Sequence, residues 1–138
     1  MNYLKEDFKN KPRFIHKPEL IFEYERDGFK YYSLADDLIY WTGKKQIVIK
    51  KVDKSGVFIT NLSSIPKVLH WIIKPDNKKL IYPSILHDGL YSKHSIIKRI
   101  VGDWLYLGAL KVEGFNALGR WVVFLSVRLF GKDYYRSN

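Results

Sequence analysis

The chain has 138 residues, of which 46% are hydrophobic and 16% aromatic, enough for one domain with a packed core. It contains no cysteine, which excludes a disulfide framework, a thiolate metal site and a cysteine nucleophile. Lys and Arg outnumber Asp and Glu by 24 to 14, a net charge of +10; such an excess can attract nucleic acid, anionic lipid or an acidic protein, while scattered pairs such as Lys44-Lys45 and Lys78-Lys79 equally describe a solvated surface.

The first residues, "MNYLKEDFKNKPRF", are charged and lack the apolar segment of a secretory signal. "RFIHKPELIFEYE" and "GFKYYSLADDLIYWTG" then hold short aromatic-rich runs broken by Pro18, Asp27-Gly28 and Asp36-Asp37. "KQIVIKKV" and "GVFITN" are two further extended runs either side of "DKSG". Strands of this length between turn signals predict a small antiparallel sheet.

The pattern changes at "NLSSIPKVLHWIIKPDNKK". Ser63 or Ser64 can cap a helix with Pro66 in its first turn, and Pro75-Asp76-Asn77 ends it. "YPSILHDGLYS" predicts a short helix with Pro83 near its start. "HSIIKRIVGDWLYLGALKVEG" predicts a longer one, capped by Ser95 and closed at Gly114. Its expected core face comprises Ile96, Ile97, Ile100, Val101, Trp104, Leu105, Leu107 and Leu110. "NALGRWVVFLSVRLFG" predicts a last helix stopped at Gly131, packed through Trp121, Phe124, Leu125 and Val127 or Arg128. Its apolar stretch 121–127 lies between Arg120 and Arg128 and is far short of the roughly 20 residues that span a bilayer. The fold class expected is α+β: an N-terminal antiparallel sheet, then three to four packed helices, in one domain over residues 1–138.

Three residues in the helical half bear on chemistry. His87 and Asp88 are adjacent, and Asp103 stands among apolar positions, where a carboxylate needs a partner. Arg99, four residues before Asp103, is the nearest candidate for an ion pair. His87, Asp88 and Asp103 are the residues that would bind a divalent metal and activate water, or let His87 act as a base. From spacing alone, a hydrogen-bonded core in which Asp88 and Asp103 tie helices together and His87 is packed fits these residues better. A His-Asp pair resembles that of metal-dependent phosphohydrolases, but this chain is short and rich in strands for that scaffold. His70 is a possible upstream ligand, though a lone histidine on an apolar helix is more often packed; His94 reads as a helix-start residue and His16 as uninformative. There is no phosphate-binding glycine loop and no GxSxG nucleophile elbow. The aromatic and basic residues of "RWVVFLSVRLFGKDYYR" suit single-stranded nucleic acid but fit a core helix with a polar edge better.

Four segments in order carry a family resemblance: "GVFITNLSSIP" from Gly56 to Pro66, "HDGLY" from His87 to Tyr91, Arg99 with Asp103, and "VRLFG" from Val127 to Gly131. They resemble a domain-of-unknown-function family, number 1353, frequent in tailed phages and prophages, over roughly residues 30 to 135. The family pattern has Asp where this chain has Asn61, and Ala where it has Ser63. If that Asp is a ligand or base, the amide removes its charge; if it is a turn residue, Asn substitutes freely.

The resemblance implies a phage or prophage origin, in host cytoplasm or virion, and a polar site where Thr60, Asn61, Ser64, His87, Asp88, Arg99 and Asp103 converge. One implied function is a small hydrolase of cell-wall or nucleotide substrates. His87, Asp88 and Asp103 would be its catalytic and metal-binding residues, and Thr60, Asn61, Ser64 and Arg99 would contact substrate. The other is a non-catalytic accessory or virion protein that meets a phage or host protein through its basic surface. Nucleic-acid binding through the net charge is a third, less favoured reading.

Overall fold

A computed structural model describes residues 10–62, 78–93 and 95–136. The helix expected after Ser63, together with Ser64, His70 and His94, lies outside the described residues.

Among the described residues, the N-terminal half holds seven antiparallel strands: β1 (Arg13–His16), β2 (Leu20–Arg26), β3 (Phe29–Leu34), β4 (Leu38–Trp41), β5 (Gln46–Ile49), β6 (Val52–Asp53) and β7 (Gly56–Val57). β1, β4 and β5 form a sheet in that order, while β2–β3 and β6–β7 are two-stranded hairpins. The β2–β3 turn uses Asp27 and Gly28, both at positive φ (54° and 81°). That is the twist a two-residue hairpin loop needs. β4 and β5 each alternate buried and more exposed residues, so Leu38, Tyr40, Ile47 and Ile49 point into one core. Beyond β7 the chain touches the hairpin once more, where Tyr32 and Thr60 exchange backbone hydrogen bonds of 2.8 and 2.9 Å.

Among the described residues three helices follow: α1 (Ile81–Leu90), entered through a 3-10 turn at Lys78–Leu80, α2 (Arg99–Val112) and α3 (Ala117–Phe130). α1 lies on the sheet. Ile85, Leu86 and Leu90 join Leu38, Tyr40 and Ile49 in the first core cluster. The approach is close: a Cβ on Gly89 would sit 2.5 Å from Ile49 Cδ1. A second cluster forms among the helices from Leu80, Tyr106, Leu110, Phe115, Val123 and Val127. Gly114, at φ +87°, stops α2 in the left-handed conformation. The Asn116 side chain accepts from Gly119 N–H at 2.7 Å and caps α3.

The α+β order is as expected, but two details of the helical half are corrected. α2 begins at Arg99, with Lys98 as an extended cap, not at residues 94–95. Ser95 Oγ instead accepts from Ile97 N–H at 3.2 Å, closing a local turn before the helix. The buried face is also different. Ile96, Ile100, Val101 and Trp104 are exposed, as are Trp121 and Leu125 on α3; Gly102, Asp103, Tyr106 and Ala109 are buried in place of the first group. Asp103 lies on this buried side together with its hydrogen-bond partners His87, Tyr91 and Arg128.

Candidate functional site: a buried polar network

Asp103 sits at mid-α2 with no exposed surface. Its Oδ1 lies 2.9 Å from His87 Nε2 and accepts from the Tyr91 hydroxyl at 2.5 Å. Its Oδ2 accepts from Arg128 Nη1 at 2.8 Å. The donors come from α1, the residue that ends α1, and α3, so one carboxylate joins three elements. Periodicity places them: His87 and Tyr91 are four residues apart, hence on one face of the α1 turn. Burial alone would raise the Asp103 pKa. The hydrogen bonds from His87, Tyr91 and Arg128 outweigh it and hold the carboxyl below the ordinary carboxylate range. For Tyr91, burial and the hydrogen bond to Asp103 push the phenol well above its usual value.

Arg99 takes a position other than the expected ion pair with Asp103. Its Nη2 donates to the carbonyls of Val127 and Arg128 at 2.7 and 2.6 Å, and its Nε to the Tyr91 hydroxyl at 3.3 Å. A cation on the last carbonyls of α3 complements the helix dipole; at Val127 it shares the carbonyl with the Gly131 N–H. Arg99 thus reaches Asp103 only through Tyr91, and Arg128 supplies the direct countercharge.

The His87 ring is stacked on Tyr106 (centroids 4.5 Å apart, 25° between planes) and lies 4.0 Å from the Tyr91 ring. Tyr106 in turn shares a 3.0 Å hydrogen bond with Ser84. The tail closes the far side. Arg136 N–H donates to the Tyr91 carbonyl at 2.7 Å, and Tyr135 packs edge-on against the Tyr91 ring at 5.3 Å. Gly131 is buried there, and a Cβ on it would come within 2.9 Å of the Tyr91 hydroxyl.

The neighbouring residue on α1 serves a second contact. Asp88 is half-buried, and its Oδ2 accepts from the hydroxyl of the buried Thr60. Thr60 Oγ1 also accepts from Leu62 N–H at 3.1 Å, and half-buried Asn61 lies between them. Consecutive helix positions diverge by about 100°, so His87 looks toward α2 and α3 while Asp88 looks toward the strand half. The structure thus brings together His87 with Asp103, and Thr60 with Asp88; Arg99 joins the first pair through Tyr91. Among the described residues, no group of three or more His, Asp or Glu side chains is arranged to hold a metal ion.

Tyr91, Tyr106 and Arg128 were not among the expected site residues. Tyr91 and Arg128 stand inside "HDGLY" and "VRLFG", so the signal was present in the motifs themselves. Tyr106 had no signal beyond its place on an apolar helix. Taken together, three of the motifs meet at Asp103 and Tyr91, and the fourth reaches α1 through Thr60.

A family model described as a protein of unknown function, DUF1353, matches residues 32–127. The chain belongs to this family. The matched DUF1353 span opens at Tyr32, whose backbone pairs with Thr60, and closes at Val127, whose carbonyl receives Arg99. Comparisons with curated proteins and with solved structures return no match. No helix among the described residues is long and apolar enough to cross a membrane.

Proposed function

We propose that this DUF1353 chain is a phage- or prophage-derived accessory or virion component that acts by contact rather than by turnover. The observation that carries the reading is the state of Asp103: fully buried, with both carboxylate oxygens engaged by His87, Tyr91 and Arg128. A carboxylate so enclosed fixes helix positions and has little freedom to accept a substrate proton or enter a metal's coordination sphere. The order of the four motifs supports the phage origin, and the net charge of +10 supports a partner with acidic character, in host cytoplasm or virion.

One observation favours the hydrolase reading as an alternative. A histidine held 2.9 Å from a carboxylate is the arrangement that orients a general base, and Asp88 beside it is half-buried rather than enclosed. The test is divalent-metal content of the purified protein, followed by His87→Gln. The contact reading expects no bound metal, a loss of stability on substitution, and unchanged recovery with phage particles below the melting temperature. Stoichiometric metal that the substitution removes, with stability intact, would establish the hydrolase reading instead.

A further inference from the structure

We propose that the outer face of α2 and α3 is a docking surface for an anionic lipid bilayer. The inference concerns a surface apart from the Asp103 network and stands whichever role that network has. On α3, Leu118, Trp121, Leu125 and Leu129 follow one another at spacings of three, four and four residues, which places them on one side of the helix. All four are exposed, Leu118 and Leu129 at 78% and 73%. The opposite side of α3, with Val123, Phe124 and Val127, fills the core, so this helix is apolar on both sides. On α2, Ile100, Val101 and Trp104 are exposed within one turn. The two stripes join through aromatic contacts: Trp104 lies 6.0 Å from Trp121 and 4.6 Å from Phe124.

The charges along these two helices are predominantly positive, with one exposed carboxylate, Asp133, just beyond α3. Between Lys98 and Lys132 the only acidic residues are Asp103 and Glu113. Asp103 is buried against Arg128, and Glu113 is paired with Lys17 at 2.7 Å. Lys98, Lys111 and Lys132 are exposed. Lys111 follows Trp104 by seven residues, so an exposed cation stands on the same side of α2 as its exposed tryptophan. Apolar and tryptophan side chains bordered by cations match a bilayer interface with anionic headgroups. A second copy fits less well, because a two-fold contact would set these cations against their own equivalents. An acidic protein helix would need a groove, whereas leucines exposed above 70% stand out from the surface.

The probe is co-sedimentation at low salt with vesicles of phosphatidylcholine alone or mixed with an equal part of phosphatidylglycerol, with tryptophan emission recorded. The mixed vesicles should bind the protein and shift its emission to the blue, while phosphatidylcholine alone binds much less. A Leu118→Ser/Leu129→Ser variant should bind roughly tenfold more weakly per leucine removed while keeping its melting temperature, since neither side chain is in the core. Three results would each overturn the proposal: no binding to either vesicle, equal binding to both, or unchanged binding by the folded variant. Self-association or capture of an acidic protein that the variant abolishes, without vesicle binding, would assign the face to another occupant and overturn it as well.

Discussion

Asp103 and Trp104 are consecutive on α2, yet their surroundings are the reverse of what side-chain polarity predicts. The carboxylate has no exposed surface and the indole is 50% exposed. The inner region of the helices is organised by one charge and its donors; the outer region carries a tryptophan pair and a leucine stripe. Buried without partners, Asp103 would cost several kcal/mol; the donors from His87, Tyr91 and Arg128 offset that cost. With partners from α1 and α3, Asp103 inward becomes the arrangement that fixes all three helices.

The contrast can be broken most strongly from the inside. Arg128→Met removes the direct cationic partner of a buried carboxylate and is expected to cost about 3–5 kcal/mol in urea unfolding. The pH dependence follows from the same pairing. The folded-state pKa of Asp103 is held below the ordinary range, so its contribution is fully present above that range and is lost as pH falls from there through the lower folded-state value. Acid unfolding followed by circular dichroism should therefore shift to higher pH in Arg128→Met, which loses one of the hydrogen bonds holding the pKa down. His87→Ala removes one donor and the ring stacked on Tyr106, at an expected cost of about 2–3 kcal/mol by the same measurement.

A probe of the helix–sheet contact is intermediate in size. Gly89→Ala forces a methyl against Ile49 and should cost about 1–3 kcal/mol. Tyr91→Phe deletes one hydroxyl from the network and should cost about 1–2 kcal/mol. On the outside, Leu129→Ser should change stability by no more than about 0.5 kcal/mol, which would mark the leucine stripe as irrelevant to folding.

The two regions were unequally legible in the sequence. Turn signals at Asp27-Gly28 and the short apolar runs "LIYW" and "QIVI" match the turn and the strands they mark, because turn chemistry and β-branched or aromatic composition are local. The closing glycines at 114 and 131 were likewise readable; of the grouped candidates His87, Asp88 and Asp103, the first and last meet while Asp88 pairs with Thr60. The burial of α2 was not. Periodicity counts apolar residues and assigns Ile100, Val101 and Trp104 to the core, while the deciding contacts to Asp103 come from residues 87, 91 and 128, distant in sequence. Arg99 was misplaced for the same reason. Helix spacing offers it Asp103, but the carbonyls at the end of α3 become neighbours only after the chain folds back.

The most direct measurement compares urea unfolding of Asp103→Ala and Trp104→Ala against the parent chain. The account predicts that the carboxylate is the larger loss, about 3 kcal/mol. The indole, already half in solvent, loses no more than about half as much. Equal stability of Asp103→Ala and the parent, or a larger loss for Trp104→Ala, would contradict the claim that a buried polar network sets the helix arrangement.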